Sequence, residues 1–397
     1  MSGPVKEVLL VGFGAVGAIY SLILKRSGLA RVTAVARSNY DIVKSEGVHF
    51  QSRKYANIRG WKPDRLCKSV AEAADTQYSY VMVATKAIPE LFQTSKILEP
   101  LRSQDYVARF SQPTYVLLQN GLNVEVDLYN SLKALGGEPS IISTAVWIGT
   151  NLLAPNVVEH SDFDRVTLGV YRHKDFTTTV NSPQESSLLA DYGKMLETGG
   201  STITIVPEIQ RMKFIKNIWN VAFSSIATLT QYASHTISPL YGLLSLQRSY
   251  TLPAIFRPPS QDPAVLYRPF VSPTTSDLIS AYTIPTITAT LNELLVLGMG
   301  FWRALGFPDT EDGLPASTVI SVLENTRQIH AKADSTHVPS MLLDAERGRP
   351  IEVEVILGEV VRMAKERGVD IPRVETLYAL LLVVQNQILR KVETGEC

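Results

Sequence analysis

The apolar run Val8-Leu9-Leu10 leads directly into Val11-Gly12-Phe13-Gly14-Ala15-Val16-Gly17, and Ala18 to Lys25 then has helical spacing. This G-x-G-x-x-G between a short strand and a helix constrains the chain more than any other feature. Gly12 suits a tight turn, Gly14 lets backbone approach a pyrophosphate, and Gly17 lets the helix lie close to the strand. The helix N-terminus would present free N–H groups and its positive dipole end to the phosphates. Glycine-rich turns also arise for purely structural reasons. The flanking strand and helix are what favour a dinucleotide site, with Gly12, Phe13, Gly14, Ala15, Val16 and Gly17 as its cradle.

A second strand, Arg31-Val32-Thr33-Ala34-Val35-Ala36, ends at Arg37-Ser38-Asn39. Chains that take NAD usually carry Asp or Glu here, about 20 residues past the glycines, on the ribose 2′-hydroxyl. This chain has no acid in that place. Arg37 offers a fork suited to a 2′-phosphate, with the Ser38 hydroxyl beside it. A solvated loop arginine is the plainer alternative, but the missing carboxylate favours NADP(H).

At 397 residues the chain can hold two domains with full cores. Hydrophobic content of 45%, charged content of 19% and zero net charge describe an ordinary enzyme and suggest neither nucleic acid nor an anionic membrane as partner. The two cysteines, Cys67 and Cys397, are far apart, which fits a reducing, cytoplasmic setting without a disulfide framework. No CxxC or His cluster offers a metal site. Lys6 and Glu7 before a brief apolar run do not read as a signal peptide. The most apolar stretch, Leu291 to Trp302, is interrupted by Asn292 and Glu293 and is too short to span a bilayer.

Along the first half, strand-like runs at 80–84, 114–118, 141–147 and 202–206 alternate with helical ones, which predicts a parallel sheet with helices on both faces. After Pro207 helical periodicity dominates, at 208–232, 286–306, 315–332, 350–367 and 373–393. The expected division is an α/β dinucleotide-binding Rossmann domain at 1–207 and an all-α substrate and catalytic domain at 208–397. Eight prolines, Pro239, Pro253, Pro258, Pro259, Pro263, Pro269, Pro273 and Pro285, mark an insert at about 234–285 that is expected to be irregular, mobile, and close to the site or a subunit interface.

Thr85-Lys86 and Gln119-Asn120-Gly121 each follow a strand. Ligands of open parallel sheets bind beyond the strands' carboxyl ends, which places Lys86 and Asn120 near the cofactor. A surface lysine and a turn residue beside Gly121 are equally good readings. The segment richest in chemistry is Lys213 to Ser224. On a helical wheel Met212, Ile215, Trp219, Ala222, Phe223 and Ile226 form an apolar arc, edged by Lys216, Asn220 and Ser224 at i, i+4, i+8. Lys213 falls further onto the polar side. A lysine beside an apolar arc is partly desolvated, which lowers an ammonium pKa and suits a general acid. Spacing alone fits a snorkelling lysine better. Near the C-terminus, Ser340-Met341 and Glu352 stand out, although the helix dipole by itself explains a carboxylate in a first turn.

In their order and spacing these stretches resemble the ketopantoate reductase (2-dehydropantoate 2-reductase) family over most of the chain: Gly12 to Gly17, Ala36-Arg37, Thr85-Lys86-Ala87, Gln119-Asn120-Gly121, Lys216 with Asn220, and Ser340-Met341 with Glu352. The resemblance implies a Rossmann domain followed by a helical domain like that of 6-phosphogluconate dehydrogenase, with the site in the cleft. It implies hydride transfer from NADPH to the C2 ketone of a 2-oxo acid, Lys216 as proton donor and Glu352 holding the substrate hydroxyl. Asn120, Asn220, Ser224 and Ser340 would orient substrate, and Lys86 and Asn120 would stand near the nicotinamide end. Ser224-Ser225 replaces the family's frequent Asn-Pro pair. The insert lengthens the second domain, as in a eukaryotic, fungal-type member, and leaves the substrate open between pantothenate synthesis and specialised metabolism. A non-redox NADP(H) sensor or scaffold and a repurposed cyclase are the rival functions. A homodimer is compatible with the sequence.

Overall fold

A computed structural model describes residues 5–230, 251–256, 273–299, 305–311, 313–331 and 338–394. The chain divides into two compact units, Met1–Lys213 and Phe214–Cys397.

The first unit is built on a ten-stranded sheet. Its strands are β1 (Lys6–Val11), β2 (Ala30–Val35), β3 (Val48–Ser52), β4 (Ala56–Trp61), β5 (Arg65–Cys67), β6 (Tyr80–Val83), β7 (Thr114–Leu117), β8 (Ile141–Ala154), β9 (Val157–Val170) and β10 (Thr202–Ile205). They run in the order β4-β3-β9-β8-β7-β6-β1-β2-β5, with β10 beside β9. The stretch β8-β7-β6-β1-β2-β5 is parallel throughout. Val8 to Val11 and Tyr80 to Val83 are buried residue after residue, as strands covered on both faces must be. Helices α1 (Ala15–Ser27), α2 (Val126–Lys133) and α3 (Pro183–Thr198) belong to this unit. A side chain at Gly199, at the end of α3, would meet the Ile23 carbonyl of α1 at 2.1 Å, so the two helices are in close contact there.

The sheet is mixed, because β8 and β9 form a long antiparallel hairpin and β3 pairs antiparallel with β4. The hydrophobic pattern of β9 is interrupted by Glu159, Asp162, Asp164 and Arg165, which hides it from periodicity. Asp164 is nevertheless fully buried, accepting hydrogen bonds from Lys54 Nζ at 2.6 Å and Tyr55 Oη at 2.7 Å. Partners distant in sequence make that burial tolerable.

The boundary between units falls inside α4 (Ile209–Trp219). The second unit is helical, with α5 (Ile284–Met299), α6 (Thr318–Ala331), α7 (Ser340–Glu346), α8 (Glu359–Arg367) and α9 (Pro372–Thr394) as its longer described elements. Three π-helical turns interrupt the α geometry, at Asn220–Ser224, Ile279–Thr283 and Glu354–Gly358. The described parts of the proline-rich insert are helical, at Thr251–Phe256 and from Pro273 onward, which corrects the expectation of an irregular segment. Pro273 opens its helix, where no N–H is needed, and Pro285 is the second residue of the helix that follows a π turn, again in the first turn where its missing N–H is tolerated. The remainder of the insert, 234–250 and 257–272, lies outside the described residues, and with it the expectation of mobility and position. Among the described residues no helix is long and apolar enough to cross a membrane.

Candidate active site

The glycine turn has the geometry its sequence demands. Gly12 adopts φ +101°, and a Cβ there would meet Thr85 N at 2.6 Å. A Cβ at Gly17 would stand 2.0 Å from the Gly12 carbonyl, so helix α1 and the turn touch backbone to backbone. Around Gly14 the space is open, with nothing within 4 Å of its virtual Cβ. Gly14 is the N-cap of α1 and offers no side-chain cap, and the first turn holds no acidic residue. The first intrahelical bond is Ala18 N to Gly14 O at 2.9 Å, which leaves the N–H groups of Ala15, Val16 and Gly17 outside the helical ladder. An open cradle, uncapped N–H groups and a positive dipole end fit a pyrophosphate.

Other groups line up along the carboxyl edge of the same sheet. Arg37 and Ser38 are exposed after β2, Lys86 is exposed after β6, and Asn120 is half-buried after β7. Asn39, which sequence reasoning passed over, is buried and donates to the Phe13 carbonyl at 2.9 Å and to Pro155 O at 3.0 Å. It ties the glycine turn to the end of β2. Its only sequence signal is an amide directly behind Arg37-Ser38. Gln119 Nε2 donates to Thr85 Oγ1 at 3.3 Å, so the loops carrying Asn120 and Lys86 are joined.

The two lysines of α4 separate sharply. Lys213, expected on the polar side of the helix, is buried in the first unit. Its ammonium donates to Glu125 Oε1 and, at 3.2 Å, to Ser143 Oγ, and Ser143 also donates to Glu125. The wheel misplaced Lys213 because a buried carboxylate on the α2 loop makes a buried ammonium tolerable, and nothing in the local pattern announces it. The expected apolar arc shifts accordingly. Met212, Ile215, Trp219 and Ile226 are only half-buried, whereas Phe214, Ile218 and Val221 are buried with Ala222 and Phe223.

In the second unit Lys216 and Asn220 are half-buried, and the buried Ser224 donates to Asn220 Oδ1 at 3.4 Å. Asn220 and Ser224 are the first and last residues of one π turn. A second π turn begins two residues after the buried Glu352. The two runs are joined by Asn217, buried next to Lys216, whose Nδ2 donates to the Ile356 carbonyl at 2.8 Å. Wide turns of this kind recur at functional sites because they change which backbone and side-chain groups face outward. Ser340 is exposed at the start of α7. An ammonium, amides, hydroxyls and a carboxylate make up a set able to hold and protonate a polar carbonyl compound.

The profile described as Ketopantoate reductase PanE/ApbA matches residues 8–173, and Ketopantoate reductase PanE/ApbA C terminal matches residues 273–385. The chain belongs to the ketopantoate reductase family. As a member of it, the protein is an oxidoreductase whose cofactor is NADP(H), and the open Gly14 cradle fits that group. An uncharacterized protein of Saccharomyces cerevisiae is 24% identical, with 96% of this chain and 94% of that one covered. The crystal structure of 2-dehydropantoate 2-reductase from Methylococcus capsulatus covers 96% of this chain and 97% of its own, at 23% identity and a TM-score of 0.65. D-mandelate dehydrogenase in ternary complex with NADH and anilino(oxo)acetate gives a TM-score of 0.67 at 15% identity, covering 96% and 99%. At these identities the solved structures speak for the fold. The expected Rossmann unit and helical unit of this reductase family are the architecture observed.

Proposed function

We propose that this reductase converts a 2-oxo acid or related ketone, of the 2-dehydropantoate-to-pantoate type, to the hydroxy compound. The observation that carries the reading is the separation of the two α4 lysines. Lys213 is consumed by Glu125, whereas Lys216 keeps partial exposure beside Asn220. When bound, NADPH supplies the hydride. Lys216 donates a proton to the carbonyl oxygen as its charge develops, which is where an ammonium stabilises most. Glu352 accepts a hydrogen bond from the substrate hydroxyl. Asn220, Ser224, Ser340 and Asn120 orient the substrate. The glycine turn, Arg37, Ser38 and Lys86 hold the cofactor, with Arg37 and Ser38 on the 2′-phosphate.

NADPH consumption against a panel of 2-oxo acids, 2-dehydropantoate first, tests the reading, with aryl-substituted 2-oxo acids as the second arm. Turnover of at least one 2-oxo acid, suppressed in Lys216→Ala, supports it. NADPH binding without turnover of any carbonyl compound would replace it with a sensor or scaffold. Glu352→Ala is expected to raise KM with little effect on NADPH affinity. Equal loss of both would make Glu352 a structural residue of the helix start.

A further inference from the structure

Beyond the loop that carries Lys86, the chain exposes an aromatic ring. Phe92 keeps 47% of its surface in solvent, and Leu91 beside it keeps 37%. The ring is held on a fixed turn. The N–H groups of Leu91 and Phe92 both donate to the Ile88 carbonyl, at 3.0 and 2.8 Å, and the Ile88 side chain is buried. The Arg37 guanidinium lies over this ring, 5.4 Å from its centroid. No hydrogen bond or ion pair joins that guanidinium to a described residue. Arg37 is anchored at its base as well, because its carbonyl accepts from Tyr40 N at 3.4 Å and the adjacent Asn39 is clamped to the glycine turn.

A cation with no anionic partner among the described residues, set over an exposed aromatic ring, is a receptor with two unmet demands. Its N–H fork calls for a doubly charged oxyanion, and its outer face calls for a flat π-system. The location narrows the ligand. Strand β1 lies between β6 and β2 in the sheet, so Arg37 and Phe92 approach each other from the ends of the two strands that flank the glycine turn. A dinucleotide threaded over that turn places its adenosine ribose at the end of β2.

We propose that Arg37 and Phe92 act as one recognition unit for 2′-phosphoadenosine, with Phe92 as a specificity-determining residue. This rests on the NADP(H) assignment and deepens it. The Phe92 ring fixes the plane of the guanidinium, the fork at the guanidinium edge takes the 2′-phosphate, and the adenine stacks on the pair. Arginine alone would supply charge. Phe92 supplies the orientation that converts charge into preference, because a fork held in one plane loses less freedom on binding.

The test is titration calorimetry of the full chain with adenosine 2′,5′-bisphosphate and with adenosine 5′-phosphate, which needs no turnover. The unaltered protein is expected to prefer the bisphosphate by at least about tenfold, or about 1.4 kcal/mol. Phe92→Ala should weaken the bisphosphate by about tenfold and the monophosphate by about threefold or less, whereas Phe92→Tyr retains both. Arg37→Ala should remove the preference, and adding Phe92→Ala to it should change little further, since the two act together. If Phe92→Ala binds the bisphosphate within twofold of the parent while Arg37→Ala loses it, the role given to Phe92 is wrong and the NADP(H) assignment stands. If the unaltered protein does not distinguish the two nucleotides, the 2′-phosphate reading of Arg37 falls and the Phe92 proposal with it. Phe92 is a surface residue, and equal melting temperatures of parent and variants would exclude misfolding as the cause.

Discussion

At the carboxyl edge of the sheet, Arg37, Ser38 and Lys86 are exposed and stand on turns fixed by backbone. In the helical unit Lys216 and Asn220 are half-buried, and Ser224 and Glu352 are buried. In the function proposed above, the first region meets a ligand that brings its own charge, and needs open N–H groups and exposed cations on fixed turns. On the same proposal the second meets a carbonyl whose charge appears only during reaction, and needs groups already immobilised by packing. Loops serve the one and interrupted helices serve the other. The π turns at Asn220–Ser224 and Glu354–Gly358 give helices local freedom of aim without surrendering burial.

The sharpest way to break this contrast lies in the two lysines of α4. Lys213→Met leaves Glu125 buried without its cation, and should destabilise the protein by about 3–5 kcal/mol. Urea unfolding measures this, and pairing it with Glu125→Leu should recover a large part of the loss. The sequence alone placed Lys213 on the polar side of the helix, and the buried pair corrects that. Lys216→Ala should change stability little but lower kcat at least about a hundredfold, within the usual range for a general acid, with NADPH affinity within about twofold by fluorescence titration. If Lys213→Met were as stable as the parent and Lys216→Ala unfolded it, the roles would have to be exchanged.

Asn217→Leu comes next. It strips the Ile356 carbonyl of its buried donor, and should cost about 1–3 kcal/mol of stability. A loss of kcat on 2-oxo acids larger than the fraction unfolded would show that the link between the two helical runs also aims Lys216 and Glu352. The smallest effect belongs to the open edge. Arg37→Ala should reduce the NADPH-over-NADH ratio of kcat/KM by about tenfold, roughly 1.4 kcal/mol, without altering unfolding. A variant that keeps the parent ratio would remove Arg37 from the 2′-phosphate site.

The two regions also differed in how far they could be read in advance. The glycine turn was legible because each glycine answers a local demand: Gly12 a positive φ, and Gly17 a contact with the backbone five residues earlier. The strands at β1, β2, β6 and β7 were legible because near-continuous burial leaves runs of mostly apolar, β-rich residues. Strands β3, β4, β5 and β9 were not, since edge pairing and the acidic interruption of β9 erase the signal. The order Lys216, Asn220, Ser224 was readable as a spacing, but the π turn that contains the last two has no pattern of its own.

Sequence by itself determined the nucleotide-binding turn, the absence of an acid after β2, and the succession of an α/β half by a helical one. Each of these follows from residues within a few positions of one another, where backbone sterics and periodicity act. Tertiary structure alone decided that Lys213 is buried rather than solvated, that Asn217 bridges to Ile356, and that Arg37 rests on Phe92. In each case the partner lies dozens of residues away. The free energy of burying a charge or a polar group is set by that partner, which no local pattern encodes.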